Sequence, residues 1–414
     1  MHINLKRLFY IVDLSCKRRE EDVSNIISFL LENNWSYAKK LKDADFVLLN
    51  TCAFNKSKVE FMKEKIVRIK NKAKKEAIFM VGGCLPKTDY NSLYNLFKGK
   101  TINPSDFSAL NDLPGIETKI EDISKNEYRE NLIPAYFNHK PADISIIKRG
   151  IYSLKNKGLF ATIKSAITPH IGKGNNATKN KEFKIFIAKG CNRKCSYCAI
   201  HFAVGSLNSK PLSSVLNRIN EGIDLGYKKI GLFGDSIGDY GLDINIDLGK
   251  LLDKISSIDK DFSIALYDLH PSSFLMYFNQ IERLCKSGKI YLLYIPIQSA
   301  NKRILKLMER YYDIDQVRSN VLKLKKYKKL YIINGIIIGF PSETEKEFED
   351  TLTFLNETKN NMSLIHFYSD MPNTKSSNME PKVDKISMGA RYAKIKNSNI
   401  PHYKQCIEKE LKTL

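Results

Sequence analysis

Short apolar runs alternate with amphipathic stretches along the first hundred residues. Leu8–Leu14, Phe46–Asn50 and Ala77–Val81 read as β-strands, and Asp22–Glu32 and Val59–Lys75 read as helices. Alternation of strand and helix with short connections is typical of a parallel sheet flanked by helices. The pattern therefore predicts an N-terminal α/β domain with an open parallel sheet.

The same alternation resumes at Phe183 and continues to about residue 370. Helical stretches fall between the apolar runs, for example Leu212–Leu225, Asn301–Glu309 and Glu345–Thr358. Six such units predict a barrel or partial barrel of parallel strands, with its site at the carboxyl ends of the strands. The six predicted strands are Phe183–Ala188, Lys229–Phe233, Phe262–Leu266, Tyr291–Ile297, Leu330–Ile338 and Ser363–Tyr368.

A less regular region separates the two patterns. Lys148–Lys181 has eight basic residues and no acidic one. A solvated connector between domains explains this segment, and a substrate-gripping arm is the alternative. We therefore divide the chain into residues 1–138 (N-terminal domain), 139–182 (basic insertion or linker), 183–375 (barrel) and 376–414 (polar tail ending in a helix near His402–Lys412).

Composition and hydropathy indicate the cellular compartment of the protein. The apolar runs, such as Tyr331–Phe340, are too short to span a membrane, and Asp13 interrupts the N-terminal run before a signal-peptide core could form. We expect a cytoplasmic protein with no membrane partner. In that reducing compartment, eight cysteines indicate metal ligands or reactive thiols rather than disulfides.

The net charge of +22 has two interpretations. Lysine and arginine in excess favour binding to nucleic acid, because they neutralise phosphates. The chain is also rich in Lys, Asn and Ile throughout, which indicates a compositional bias of the genome. Charge alone therefore does not identify the partner.

Three cysteines form a C-x3-C-x2-C motif, Cys191, Cys195 and Cys198, directly after a predicted strand. Three thiolates in one loop can bind three irons of a [4Fe–4S] cluster and leave the fourth iron open to a cofactor. A structural zinc site is the alternative, with His201 as its fourth ligand. No second cysteine pair lies nearby in the sequence, so the cluster interpretation is favoured.

Cys16, Cys52 and Cys84 each follow one of the N-terminal strands. Connections at the carboxyl ends of parallel strands meet at one edge of the sheet. We therefore expect these three cysteines to lie at the same edge. Of the other two, Cys285 lies on an amphipathic stretch and reads as core, and Cys406 lies in the polar tail.

The chain resembles the radical S-adenosylmethionine (SAM) methylthiotransferases over nearly its whole length. The cysteine triplet has the spacing characteristic of radical SAM enzymes, and Cys16 occupies the place of the first N-terminal cysteine of the family. The other matching motifs, in chain order, are Asn50-Thr51-Cys52, Gly83-Cys84, Gly234-Asp235-Ser236 with Tyr240-Gly241, Pro296-Ile297-Gln298-Ser299, Leu305–Tyr311, Ile338–Thr344 and Phe367-Tyr368-Ser369.

The resemblance implies an α/β fold in which the second domain is a radical SAM partial (β/α)6 TIM barrel. It also implies two [4Fe–4S] clusters, one on Cys16, Cys52 and Cys84 and the other on the triplet. One SAM molecule would methylate a sulfur at the first cluster. A second would be cleaved at the other cluster to a 5′-deoxyadenosyl radical, which removes hydrogen from an unactivated carbon before the methylthio group is joined to it.

The resemblance further assigns SAM contacts to six residues. The backbone around Tyr197 would meet the adenine, and Gly234 and Asp235 would contact the methionine amino group. Gln298 and the strand from Gly335 to Gly339 would lie near ribose and adenine. Close packing is the alternative explanation for the two glycines, and a satisfied polar strand end is the alternative for Gln298.

Several positions depart from the family pattern. Arg19 replaces an asparagine, Asp235 replaces a glutamine, and Ile200-His201 and Val204-Gly205 replace valine–proline and arginine–glycine. The 40 residues after Thr374 show no alternating strand pattern, so we expect no C-terminal recognition β-barrel domain of the TRAM type.

These departures motivate the leading hypothesis about the substrate. We expect a methylthiotransferase that acts on a polypeptide, such as the precursor peptide of a ribosomally made natural product. Methylthiolation of adenosine in transfer RNA is the alternative enzyme function, and a non-catalytic, cluster- or zinc-bearing nucleic-acid-binding protein is the third. The enzyme would need a low-potential electron donor such as flavodoxin or ferredoxin.

Overall fold

The computed structural model describes residues 7–123, 181–398 and 400–403. The chain divides into two compact units. Unit 1 comprises residues 1–154 with the short segments 199–205 and 371–373, and unit 2 comprises the remainder. Most of the predicted basic insertion, and the predicted tail helix beyond Tyr403, lie outside the described residues. No helix in the described ranges has the length and apolar character needed to cross a membrane.

Unit 1 contains a four-stranded parallel sheet in the order β2-β1-β3-β4. The central strand β3 is buried along its whole length, as expected when helices cover both faces of a sheet. The predicted open parallel sheet is therefore confirmed, and the two-residue strand β2 was too short to predict. The strands are β1 (Leu8–Asp13), β2 (Ser36–Tyr37), β3 (Phe46–Thr51) and β4 (Ile78–Gly83).

The main helices of unit 1 are α1 (Glu20–Glu32) and α2 (Lys56–Lys70). Helix α2 begins three residues before the predicted start at Val59, because the Asn55 side chain caps it by accepting the Lys58 N–H at 3.0 Å. Two short helices follow the last strand, and another lies in segment 199–205. These are α3 (Leu85–Thr88), α4 (Tyr90–Leu96) and α5 (Ile200–Val204).

Unit 2 is built on a seven-stranded sheet in the order β13-β12-β11-β10-β9-β8-β5, with every pair parallel. All six predicted barrel strands are present. The seventh, His402–Tyr403, replaces the start of the predicted tail helix and pairs with Ser363 and Leu364. The strands are β5 (Glu182–Phe186), β8 (Lys229–Phe233), β9 (Ser263–Leu266), β10 (Ile290–Gln298), β11 (Tyr331–Ile338), β12 (Met362–Phe367) and β13 (His402–Tyr403), and β6 (Ala188–Lys189) and β7 (Asn208–Ser209) form a separate antiparallel pair.

Helices follow the strands of unit 2 and cover one face of the sheet. Alternate strand residues such as Ile230, Ile264 and Leu293 are buried in a core with these helices. One helix, Lys385–Asn397, lies in the segment predicted to be a polar tail. The helices are α6 (Leu212–Asp224), α7 (Leu248–Ser256), α8 (Pro271–Met276), α9 (Phe278–Lys286), α10 (Lys302–Leu307), α11 (Ile314–Leu324), α12 (Glu345–Thr358) and α13 (Lys385–Asn397).

Strand residues of the opposite parity carry an aromatic and polar network. The rings of Phe186 and Phe233 have centroids 5.5 Å apart, and Tyr267 stacks on Phe233 at 4.3 Å. The Tyr267 hydroxyl donates to Glu182 Oε2 at 2.9 Å, and the Tyr291 hydroxyl donates to the same oxygen. This network links the first strand of the sheet to β10 by side chains.

Helix α13 is attached to unit 2 by a buried ion pair between Arg391 and Glu343. Arg391 Nη1 donates to Glu343 Oε2 at 2.8 Å, and Nη2 donates to the Glu343 carbonyl at 2.8 Å. Glu343 Oε2 also accepts the N–H of Gly339 at 2.8 Å. Breaking a buried pair costs far more than breaking an exposed one, because the remaining charge loses its partner inside the protein.

Replacing Arg391 with methionine is therefore expected to destabilise unit 2 by about 3–5 kcal/mol. The loss should shrink in acid, because burial raises the pKa of Glu343 to about 7 and the protonated carboxyl has no charge to neutralise. Urea denaturation followed by circular dichroism measures the loss, since the single tryptophan, Trp35, lies in unit 1. The control Lys394→Met removes exposed pairs on the same helix and should cost less than about 1 kcal/mol. If the two variants lost equal amounts of unfolding free energy, the result would contradict the greater contribution expected of the buried ion pair.

Candidate functional site

The cysteine triplet lies in an irregular loop that begins directly after β6 in unit 2. Gly190 opens the loop with φ of 82°, a left-handed conformation that glycine adopts without strain. Its N–H donates to Asp235 Oδ2 at 2.9 Å. The loop is thereby attached to the segment that follows β8.

Ser196, between the second and third cysteines, attaches the loop to two further segments. Its N–H donates to the Met308 carbonyl at 3.1 Å, and its hydroxyl donates to the Leu307 carbonyl at 2.7 Å. Its own carbonyl accepts the N–H of Ser376 at 2.9 Å. Protein hydrogen bonds therefore fix the backbone around the cysteines, as a preorganised metal loop requires.

Arg193, between the first two cysteines, makes a second set of attachments. Its Nε donates to Asp239 Oδ2 at 2.8 Å, and a second N–H contacts the other carboxylate oxygen. It also donates to the hydroxyls of Ser272 at 3.1 Å and Ser273 at 2.9 Å. The motif did not reveal this role, because the partners lie 46 to 80 residues further along the chain.

Arg310 contacts the triplet from the residues that follow α10. Its Nη1 lies 3.7 Å from Cys195 Sγ and 3.4 Å from the Tyr197 hydroxyl oxygen. Its Nη2 donates to the carbonyl of Pro296 in β10. Arg310 lay within a sequence motif that matched the family, but the motif gave it no role.

The pKa of Cys191 affects how the triplet loop can bind a metal. Burial, with smaller contributions from the charges of Cys198 and Asp239, raises the pKa of Cys191 to about 12. Iron therefore has to displace protons from the thiols when it binds. No three Cys, His, Asp or Glu side chains within the described ranges form a group that could hold a single metal ion. A [4Fe–4S] cluster does not need such a group, because each of its cysteines binds a different iron.

Cys16, Cys52 and Cys84 follow the carboxyl ends of neighbouring strands in unit 1. Thr51 pairs with Gly83 in register, and the Cys84 N–H donates to the Thr51 carbonyl at 3.2 Å. Gly83 has φ of 87°, and a Cβ there would lie 2.2 Å from Thr51 O, so this close approach requires glycine. The three cysteines thus share one sheet edge, and their action as ligands of one cluster stays a prediction.

The turn around Cys16 is ordered by polar contacts. Asp13 accepts the Ser15 hydroxyl at 2.6 Å and the Asn50 amide at 3.1 Å. The Arg19 N–H donates to the Cys16 carbonyl at 2.9 Å, and its guanidinium pairs with Asp22 in a buried setting. Arg19, which replaces an asparagine of the family pattern, therefore makes structural contacts at this turn.

Burial, with a smaller contribution from the charge of Cys16, also raises the pKa of Cys52 to about 12. Cys16 is exposed, whereas Cys52 and Cys84 are buried. The edge therefore offers one accessible thiol beside two enclosed ones.

The predicted SAM contacts divide into two groups. Tyr197 lies in the triplet loop, and Asp235 contacts that loop by accepting the Gly190 N–H. Gly234 packs closely against Ala188, because a Cβ on Gly234 would come within 2.9 Å of the Ala188 carbonyl oxygen. Gln298 ends β10 with φ of 67°, and its buried Oε1 has no hydrogen-bond partner among the described residues. Its contact with a cofactor stays a prediction.

Packing accounts for both glycines on β11 and after it. A Cβ on Gly335 would lie 2.7 Å from the Tyr294 hydroxyl, and one on Gly339 would lie 2.5 Å from Met388. Gly339 also has φ of 80°. Whether either residue contacts a cofactor stays a prediction.

Comparison with known proteins matches both parts of the chain. Residues 185–355 match the radical SAM superfamily, and residues 8–102 match the uncharacterized protein family UPF0004. The chain is 27% identical to ribosomal protein uS12 methylthiotransferase RimO of Chlamydia felis, over 97% of this chain and 82% of that protein. It is 24% identical to tRNA-2-methylthio-N(6)-dimethylallyladenosine synthase of Lawsonia intracellularis, over 96% of this chain and 83% of that protein.

A solved structure shares the fold. The radical SAM methyltransferase TsrM of Kitasatospora setae superposes with a TM-score of 0.57 at 13% identity, covering 90% of this chain and 77% of that one. At this level of identity the likeness concerns the fold alone.

Proposed function

Because this chain belongs to the radical SAM methylthiotransferase family, we propose that it joins a methylthio group to an unactivated carbon of a polypeptide. One observation supports this proposal most. One set of three cysteines follows the carboxyl ends of the parallel strands of unit 1, and a second set of three lies in the loop after β6 in unit 2. The enzymes of this family use [4Fe–4S] clusters and SAM, and each cysteine set has the number of thiols that leaves one iron open.

Cys191, Cys195 and Cys198 would hold the cluster in unit 2. When bound, this cluster supplies the electron that cleaves SAM and yields the 5′-deoxyadenosyl radical. Ser196 and Arg193 keep the loop in place through the hydrogen bonds described above. This fixed geometry matters because a radical reaction depends on the positions of the cofactor and the substrate carbon.

Two further residues fit the cofactor. Asp235 lies beside the loop, where a carboxylate can accept charge-assisted hydrogen bonds from the methionine ammonium group. Gln298, at the end of β10, carries a buried carbonyl oxygen that accepts no hydrogen bond from the residues within the described ranges. A buried acceptor of this kind is costly unless a ligand donates to it, and a ribose hydroxyl or an adenine amino group would do so.

Cys16, Cys52 and Cys84 would hold the second cluster, which carries the sulfur that becomes methylated. Cys16 is the solvent-exposed cysteine of this set. A low-potential donor such as flavodoxin or ferredoxin would supply electrons. Free thiols at all described cysteines suit the cytoplasm, where such donors are found.

The polypeptide substrate is supported by the relative that matches 97% of this chain, whose name assigns it a ribosomal protein as substrate. Transfer RNA is the second candidate, and a surface of unit 1 favours it. On α2, Lys65 Nζ lies 4.7 Å from the Phe61 ring centroid, and just after α4, Lys98 Nζ lies 5.6 Å from the ring centroid of Tyr94. The exposed ring of Tyr90 stacks on Tyr94, and bases stack on aromatic side chains in this way.

Mass spectrometry of cells with and without this gene decides between the two substrates. We expect a peptide or ribosomal protein that carries a methylthio increment only when the gene is present. Complementation with an allele encoding Cys198→Ala is the control and should not restore the increment. Loss of a nucleoside from digested transfer RNA, with all polypeptides unchanged, would overturn the polypeptide proposal and establish the second candidate.

A further inference from the structure

Arg310 is a buried cation in unit 2 that has no carboxylate partner among the described residues. Its relative exposure is 4%. It contacts Cys195 Sγ, the Tyr197 hydroxyl and the Pro296 carbonyl, and its guanidinium carbon lies 5.7 Å from the Tyr312 ring centroid. Its buried Nε has no hydrogen-bond partner in the part of the chain that the structure describes. A buried charge is normally paired, because removing an ion from water without a counter-ion costs several kcal/mol. The arrangement therefore calls for an anion beside the guanidinium.

The position of Cys195 beside the guanidinium identifies the Cys195 thiolate as that anion. Cys195 Sγ lies 3.7 Å from Nη1, within hydrogen-bonding distance for a sulfur acceptor. The Pro296 carbonyl fixes the other terminal nitrogen, so the N–H direction toward the sulfur is set by the end of β10. Tyr312, two residues on, donates its hydroxyl to the next carbonyl, Ile297, and strengthens this attachment.

We infer that Arg310 is a positioning residue that donates an N–H···S hydrogen bond to Cys195 and raises the reduction potential of the [4Fe–4S] cluster held by the triplet. This inference rests on the proposed function, since it takes Cys195 as a cluster ligand. Arg310 acts through the sulfur that it contacts.

The direction of the effect follows from charge. A [4Fe–4S] cluster on three thiolates gains one negative charge when the external donor reduces it by one electron, and no bond or proton changes place. A fixed positive charge and a hydrogen bond to a ligand sulfur both stabilise the more negative, reduced state. Removing them makes the cluster harder to reduce.

The test compares variants at Arg310 with a matched arginine on the adjoining helix. Arg310→Met removes charge and donors, Arg310→Gln keeps a neutral donor, and Arg310→Lys keeps the charge. Arg303→Met is the control, because Arg303 lies on α10 but pairs with Glu347 at the surface. All are made in a full-length chain with Cys16, Cys52 and Cys84 replaced by alanine, so that one cluster remains, and its potential is titrated by electron paramagnetic resonance.

We expect Arg310→Met to lower the ratio of reduced to oxidised cluster at a fixed potential about tenfold, which for a one-electron couple is a shift of about 59 mV to more negative values. Arg310→Gln should shift in the same direction by less, Arg310→Lys should stay nearest the parent, and Arg303→Met should not shift. If Arg310→Met fails to retain iron, a shift in Arg310→Gln that Arg310→Lys lacks supports the inference. Unchanged potentials in the Arg310 variants that retain iron would overturn it. A parent chain without any [4Fe–4S] signal would instead refute the proposed function.

Discussion

Replacing Cys191, Cys195 and Cys198 together with alanine is expected to abolish the reductive cleavage of SAM. The thiols are the only part of the loop that these changes remove, because the backbone is held by Ser196 and Arg193 rather than by metal. The chain should therefore fold while 5′-deoxyadenosine falls to background. Chromatography with mass spectrometry after addition of dithionite and SAM measures the product.

Cys285→Ala provides the matched control for this experiment. Cys285 is also a described cysteine of unit 2, but it is buried in the core on α9, away from the triplet loop. The control should keep both its iron content and its cleavage activity. Cleavage that survives in the triple variant at the level of Cys285→Ala would show that the triplet does not hold the reactive cluster.

Replacing Cys16, Cys52 and Cys84 together should separate the two halves of the reaction. Bound iron should fall to about half, because one of two equal clusters is lost. Cleavage of SAM should persist, since the triplet in unit 2 is unchanged. The methylthio product should disappear, because no site remains to carry the sulfur. Iron analysis, 5′-deoxyadenosine and the methylthio increment are measured on the same preparation.

Two results would contradict this second prediction. Unchanged iron would mean that the sheet edge of unit 1 holds no cluster. A methylthio product formed at the normal rate would mean that the transferred sulfur comes from elsewhere.

The sequence predicted those features that depend on local pattern. Strand periodicity identified β3 and the six barrel strands, and the C-x3-C-x2-C spacing identified the loop, because these signals lie within a few residues of one another. The strand-end positions of Cys52 and Cys84 also predicted that they share an edge. That inference needed only the rule that parallel strands end on the same side of the sheet.

Other features depend on contacts that no local pattern encodes. Arg310 meets Cys195 across 115 residues of chain, and the sequence gives no sign of that approach. Strand β13 consists of two residues, too few for any periodicity. Helix α13 was missed because it lies in a polar, lysine-rich stretch of the sequence, although Met388, Tyr392 and Ile395 are buried at helical spacing.

The two sets of predicted cluster ligands differ in their spacing along the chain, and this spacing affects how each site forms. The triplet spans eight residues, so closing its loop costs little entropy and the thiols can chelate iron while the rest of unit 2 is still being synthesised. Cys16, Cys52 and Cys84 come together only after β1, β3 and β4 have paired in register. We therefore predict that the triplet can bind iron before unit 2 has folded, whereas the three N-terminal cysteines can bind it only after the sheet of unit 1 has formed.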